Sequence, residues 1–159
     1  MKKSRFLTEA AVIGALYVVL TFLARLFGLD SGAVQLRISE ALTAFVVFTP
    51  AAVPGLFLGC IISNLLMQGV LLDVIFGSLA TLIGAVLGRV LRKHKYLALI
   101  PTIISNAVIV PFVLIYAYGL TDAWWYLFIT VGIGEILSCG VLGGVLIKTF
   151  DKRKKYIFR

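Results

Sequence analysis

A few polar side chains interrupt a sequence that is otherwise strongly apolar, and they are the candidates for chemistry. The ionisable members are Arg37, Glu40, Asp73 and Glu135, and the uncharged amides are Asn64, Gln68 and Asn106. Ionisable groups are costly inside a bilayer, so they usually face a cavity or a partner. Carboxylates, a guanidinium and amides together favour charge-assisted hydrogen bonding to a small polar molecule.

The same sequence lacks the residues that catalysis or nucleotide hydrolysis would need. No G-x-x-x-x-G-K-[ST] motif occurs, and the only histidine, His94, lies in a basic segment. Cys60 and Cys139 lie inside apolar runs, where small packing residues are expected. We therefore predict no catalytic residue, no metal site and no cofactor, and we expect that the protein is not an enzyme.

The elements that position these side chains follow from hydropathy. Hydrophobic residues make up 61% of the 159 residues and charged residues 14%, and the mean hydropathy is +1.07. A soluble domain carries about 25% charged residues. Apolar runs of 18 or more residues recur, each long enough to cross a bilayer as a helix. We predict one all-α membrane domain over residues 1–159, with six transmembrane helices near 4–27, 38–48, 51–68, 72–91, 97–118 and 123–147.

The positive charge, a net +8, is concentrated in three clusters. Thirteen of the fifteen basic residues belong to them: Lys2, Lys3 and Arg5; Arg89, Arg92, Lys93 and Lys95; Lys148, Lys152, Arg153, Lys154, Lys155 and Arg159. Even numbers of predicted spans separate the clusters, so the positive-inside rule predicts that both termini are cytoplasmic. This distribution is typical of a plasma-membrane protein, and we predict no nucleic-acid partner.

With that orientation, most of the polar groups fall in the outer half of the bundle. Asn64 and Gln68 are one helical turn apart, and Asp73 shares a helix stripe with Phe76. Glu135 follows Ala123 by 12 residues, or roughly 18 Å of helix, which places it near mid-bilayer. The groups are predicted to converge on a pocket that opens to the outside.

Each polar residue also has a purely structural interpretation. Arg37 and Glu40, three residues apart, can form a simple ion pair at the interface. Asp73 can be a helix N-terminal charge that the helix dipole favours. The two asparagines can hydrogen-bond neighbouring helices, and Glu135 can be protonated and bonded to one.

Four segments resemble the QueT family. They are residues 34–43 (VQLRISEALT), 48–60 (FTPAAVPGLFLGC), 72–81 (LDVIFGSLAT) and 134–139 (GEILSC), and Asn106 also matches. The resemblance implies the substrate-binding S component of an energy-coupling factor (ECF) transporter, a six-helix bundle that captures a queuosine precursor from outside. It also implies a membrane coupling subunit and two cytoplasmic ATPases as partners. Ala11 and Ala15 fit the A-x-x-x-A pattern that contacts the coupling subunit in such transporters.

For the 7-deazaguanine ligand that the resemblance implies, hydrogen-bonding chemistry suggests roles for several of these residues. Glu135 or Glu40 would accept hydrogen bonds from the donor edge, and Arg37 or an asparagine would donate to the carbonyl. Phe76 would stack on the ring, and Asp73 would pair with an aminomethyl cation where the ligand carries one. The predicted substrate-binding residues are thus Arg37, Glu40, Asn64, Asp73, Phe76, Asn106 and Glu135.

Three other functions stay open from the sequence. The chain can be an S component for another small heterocycle or vitamin, which a ligand panel would reveal. It can be a non-transport membrane scaffold subunit, which predicts no saturable binding of a small molecule. It can also be a stand-alone secondary transporter, although no intact inverted repeat is evident.

Overall fold

The computed structural model describes residues 3–30, 34–67 and 69–152, and they form helices joined by short turns. The helices are α1 (Lys3–Leu26), a 3₁₀ helix (Ile38–Val47), α2 (Ala52–Leu66), α3 (Leu71–Val90), a 3₁₀ turn (Leu97–Leu99), α4 (Ile100–Tyr118) and α5 (Trp124–Asp151). Within α5 the segment Ile136–Leu142 is π-helical. Some residues considered above lie outside the described residues: Lys2, Gln68, Arg153, Lys154, Lys155 and Arg159. The all-helical fold class is confirmed.

Four helical segments are long and apolar enough to cross a bilayer. They are Lys3–Leu26, Leu71–Val90, Leu97–Tyr118 and Trp124–Asp151. The other two are shorter than a hydrocarbon core of about 30 Å. The 15 residues of α2 rise roughly 22 Å, and the 10 residues of the 3₁₀ helix rise roughly 20 Å. The structure therefore supports an all-α membrane protein, while six complete spans and cytoplasmic termini stay predictions.

The 3₁₀ helix lies in the centre of the bundle. Every residue from Ser39 to Val46 is buried, and the helix contacts α1, α2, α3 and α5. Such helices rarely exceed four residues, because their hydrogen-bond geometry is poorer than that of an α-helix. Here the side chain of Arg89 supports the end of the helix, since its Nη1 donates to Val46 O at 2.7 Å and Val47 O at 3.2 Å. This central element carries Glu40 into the interior.

Glycines allow α1 and α2 to pack with their backbones almost in contact. A Cβ atom added at Gly55 would lie 2.7 Å from Ala10 O, and one at Gly59 would lie 2.8 Å from Tyr17 Cβ. Small residues at helix contacts permit this approach in lipid, where packing rather than the hydrophobic effect holds helices together. The approach fixes the position of Tyr17, which contacts the site described below.

The substitution Gly55→Ala is expected to destabilise the bundle by about 1–3 kcal/mol, because its Cβ would meet a backbone oxygen that cannot rotate away. Thermal unfolding in detergent measures the effect as a lowered midpoint. Gly132→Ala is the matched control, since its Cβ would lie 3.8 Å from Ala107 Cβ, an ordinary contact. Equal midpoints for the two variants would contradict the packing argument.

Candidate substrate-binding site

A cavity of about 580 Å³ opens at one end of the bundle. It lies where α1, α2 and α4 end and α3 begins, and the segment between α1 and the 3₁₀ helix forms another wall. Three predicted site residues line it: Arg37, Asn64 and Asp73. Its volume is within the range of about 300–1,000 Å³ that is usual for small-molecule sites.

Hydrogen bonds around Asp73 hold the mouth of this cavity together. Tyr118 Oη donates to Asp73 Oδ2 at 2.8 Å, and Asn64 Nδ2 donates to the backbone oxygen of Asp73 at 3.3 Å. Asp73 stands in the first turn of α3, where the helix dipole also favours a carboxylate. Asn64 thus hydrogen-bonds a neighbouring helix, and Asp73 is a charge at a helix N-terminus, as their structural interpretations predicted. Both residues nevertheless line the cavity.

A second group of polar side chains is buried deeper in the bundle. Glu40 is 0% exposed, Asn106 0% and Glu135 2%. Glu40 accepts hydrogen bonds from Tyr17 Oη and, at 3.4 Å, from Thr81 Oγ1. We call Tyr17, Glu40, Thr81, Asn106 and Glu135 the inner polar cluster.

The inner polar cluster lies at one depth. Tyr17 precedes the end of α1 at Leu26 by nine residues, and Thr81 follows the start of α3 by ten. Asn106 precedes the end of α4 by twelve residues, and Glu135 follows the start of α5 by eleven. At 1.5 Å per residue these positions are all roughly 14–18 Å from the helix ends at the cavity mouth. Four helices and the central 3₁₀ helix thus bring polar groups to a single level.

Electrostatic interactions connect the inner polar cluster to the cavity. Glu135 is repelled by Glu40, attracted by Arg37 and adjacent to Asn106. Arg37 also interacts with Tyr17 of the inner polar cluster and with Asp73 at the cavity mouth, so its charge acts on both groups. Arg37 and Glu40 do not form a direct ion pair, which argues against the simple interfacial pair considered above. Two buried carboxyl groups therefore share the influence of one guanidinium.

Several buried polar atoms in and around the inner polar cluster have no hydrogen-bond partner among the described residues. They are Glu40 Oε2, Thr43 Oγ1, Ser78 Oγ, Asn106 Oδ1 and Nδ2, Glu135 Oε2 and Ser138 Oγ. Buried polar atoms are nearly always paired, because leaving one unpaired costs about 1–3 kcal/mol. Unpaired donors and acceptors in one region of the interior are what a site for a polar ligand requires.

The segment from Gln35 to Arg37 lies directly against α5 beside this cluster. A Cβ atom added at Gly134 would lie 2.1 Å from Gln35 O, so only glycine allows the contact. Arg37, two residues further on, lines the cavity. The position of Arg37 above Glu135 therefore depends on a glycine next to Glu135.

The structure does not bring every predicted site residue to the cavity. Phe76 is 46% exposed and does not line it, so the structure gives no support to the predicted stacking role, which stays a prediction. The buried face of α3 carries Gly77, Ala80 and Thr81, and Phe76 lies beyond its edge. Ala11 and Ala15 are exposed on α1, away from the cavity. Among the described residues no group of three or more His, Cys, Asp and Glu side chains could hold a metal ion.

Three hydroxyl groups were missed by the sequence reasoning. Tyr17 and Thr81 bind Glu40, and Tyr118 binds Asp73. The one available signal was the spacing of Tyr17, which follows the small residue Gly14 by three positions and so shares its helix face.

Comparison with known proteins agrees with a transport role. The family model described as QueT transporter matches residues 7–152. A curated protein of Lactococcus lactis subsp. cremoris (strain MG1363), "Queuosine precursor transporter QueT", is 38% identical over 93 residues. The match covers 57% of this chain and 54% of that relative, so it spans about half of the relative's length. No solved structure matches the chain.

Proposed function

We propose that this chain, which belongs to the QueT transporter family, binds a queuosine precursor of the 7-deazaguanine type and delivers it for uptake across the cell membrane. The observation that carries the proposal is the inner polar cluster, whose unpaired atoms lie beneath a cavity of suitable size. The name of the Lactococcus relative supports the choice of ligand.

The chemistry of the cluster complements such a ligand. A 7-deazaguanine presents a ring N–H and an exocyclic amine on one edge, with a carbonyl oxygen beside them. The unpaired carboxyl oxygens of Glu40 and Glu135 can accept from the two donors, and Asn106 Nδ2 can donate to the carbonyl. Bonds that involve an ionised partner are about twice as strong as neutral ones.

The charges around the cavity favour a ligand that is neutral or cationic. The acidic groups in and beneath the cavity outnumber its two guanidinium groups, Arg25 and Arg37; they are Asp30, Glu40, Asp73 and Glu135. Asp73 at the mouth is placed to pair with an aminomethyl cation while the ring binds below. An anionic ligand of the same size would add to the repulsion and is expected to bind poorly.

The proposal is tested with purified protein in detergent. Native mass spectrometry would reveal a co-purified deazaguanine, and calorimetry would measure its saturable binding. A thermal-shift panel of other heterocycles and vitamins gives the comparison. Stabilisation by another heterocycle alone would assign a different substrate, whereas no saturable binding at all would favour a scaffold subunit and contradict the proposal.

We further propose that the chain is the S component of an ECF transporter. Its own sequence has no P-loop, so in such a transporter other subunits would hydrolyse the ATP. In α1, Ile13, Gly14 and Tyr17 face the bundle, while Ala11 and Ala15 are exposed. Two small residues one turn apart on a free face allow a partner helix to approach closely in the membrane. These features support a coupling-subunit contact on that face.

The substitution Ala11→Trp is expected to reduce co-purification with the coupling subunit at least tenfold, because a large ring prevents close approach of the partner helix. Ligand binding by the isolated chain should be unchanged, since Ala11 lies away from the cavity. Leu16→Trp, at an exposed position on another face of α1, is the control. If both variants assemble as well as the wild type, or if transport persists without any ATPase, the S-component proposal fails.

A further inference from the structure

A second cavity, an open groove of about 530 Å³, runs along the outside of the bundle between α3 and α4. Its walls are almost wholly apolar and include Ile83, Leu87 and Leu91 from α3 and Leu97, Ile104 and Val108 from the α4 side. The one hydroxyl along it, Ser105 Oγ, is already hydrogen-bonded to backbone oxygens of Ala80 and Thr102. The groove therefore offers shape and apolar surface but no free polar group.

The length of the groove matches one leaflet of a bilayer. From Leu97 to Val108 the chain advances eleven residues, which is roughly 16 Å of helix. Half of a hydrocarbon core measures about 15 Å. A groove of this length suits a single acyl chain that enters from the end at Leu91 and Leu97.

Basic side chains stand at that end. Arg92 and Lys93 directly follow Leu91 in a tight turn, in which His94 N donates to Leu91 O at 2.9 Å and Ala98 N donates to His94 O at 3.0 Å. Both side chains are exposed. Neither has a hydrogen bond or ion pair within the part of the chain that the structure describes, whereas Lys95 pairs with Asp151 at 2.7 Å.

The neighbouring guanidinium strengthens the attraction for an anion. Arg92 and Arg89 repel each other. Arg89 is held in place by the carbonyl oxygens of the 3₁₀ helix, so it cannot move away without losing those bonds. A negative charge beside Arg92 would relieve this repulsion.

We propose that the groove binds one acyl chain of an anionic phospholipid, whose phosphate is held by Arg92 and Lys93. A zwitterionic phospholipid would fill the groove equally well but would gain less from the two cations. A basic pocket at the end of transmembrane helices is suited to an anionic lipid headgroup, and each basic residue near the surface contributes roughly a fivefold gain in affinity. The site is separate from the substrate cavity and does not depend on the proposed substrate.

The test compares two lipids that differ only in headgroup. Purified protein is titrated with phosphatidylglycerol and with phosphatidylcholine of identical acyl chains, and native mass spectrometry measures the bound fraction of each. Wild-type protein is expected to prefer phosphatidylglycerol, and the double variant Arg92→Gln/Lys93→Gln should lose roughly 25-fold of that preference. Lys148→Gln/Lys152→Gln, which removes two exposed lysines that do not line the groove, is the charge-matched control and should keep the preference.

A second variant tests the groove itself. Ile104→Trp places a bulky ring at an exposed position of the groove and should reduce binding of both lipids. Unchanged ligand binding and thermal unfolding would show that the fold is intact. Three results would each overturn the proposal: equal affinity of the wild type for the two lipids, equal effects of Lys148→Gln/Lys152→Gln and Arg92→Gln/Lys93→Gln, or unreduced lipid binding by Ile104→Trp. If a protein partner covers the groove instead, the wild type is expected to bind the two lipids with equal affinity.

Discussion

The substitution Glu135→Gln is expected to weaken binding of a 7-deazaguanine by roughly 10- to 100-fold, with little change in the volume of the site. The reason is the loss of an acceptor, because the amide nitrogen that replaces one carboxyl oxygen can only donate, and a buried donor left without its partner costs about 1–3 kcal/mol. Glu135 is buried, and its Oε2 has no partner among the described residues, so a ligand would be the group that satisfies it. Calorimetry of the purified variant measures the change directly.

Glu9→Gln is the matched control for that experiment. Glu9 is another membrane-embedded carboxylate, but its oxygens already accept from Arg5 Nε at 2.8 Å and Thr49 Oγ1 at 2.5 Å. It lies on the N-terminal third of α1, away from the cavity. Its replacement should lower thermal stability and leave ligand affinity nearly unchanged. Wild-type affinity in the Glu135 variant would remove that residue from the binding site.

Much of the fold could be predicted from hydropathy, because the cost of unpaired backbone groups in lipid leaves helices as the simple solution. The conformation of residues 38–47 could not be predicted in this way. Its apolar composition suits an α-helix as well as a 3₁₀ helix. The tighter helix is stabilised by contacts that come from elsewhere in the chain, among them the bonds from Arg89 to Val46 and Val47.

The candidate site was predictable where burial carries a high cost. Glu40 and Glu135 stand out in an apolar sequence because a carboxyl group is costly to bury in a membrane unless it faces a cavity or a partner. Tyr17 and Thr81 carry hydroxyl groups, which cost less to bury than a carboxyl group. Their presence in an apolar sequence therefore did not predict that they bind Glu40. Phe76 lies outside the cavity although Asp73 lines it, because a three-residue spacing leaves two side chains about 60° apart around the helix.

The substitution Gly134→Ala is expected to have an effect on binding at least as large as that of Glu135→Gln, although it removes no polar group. Its Cβ would lie 2.1 Å from Gln35 O, a distance that no rearrangement of a side chain can relieve, so the backbone of the Gln35–Arg37 segment must move. Arg37 would then lose its position relative to Glu40 and Glu135. Arg37 could then no longer donate to the carbonyl of the ligand, and the loss of that one charge-assisted bond, about 1.5–3 kcal/mol, corresponds to an affinity decrease of roughly 10- to 150-fold.

Helix propensity and a control variant distinguish this local displacement from general unfolding. Alanine is a better helix former than glycine by about 1 kcal/mol, so α5 itself should not be weakened by Gly134→Ala. Gly132→Ala lies two residues earlier on the same helix. It gains the same helix propensity without a clash and should bind the ligand as the wild type does. A Gly134→Ala variant with normal affinity would mean that the Gln35–Arg37 segment can move without consequence. Arg37 would then not be part of the site, since displacing a residue that binds the ligand must lower the affinity.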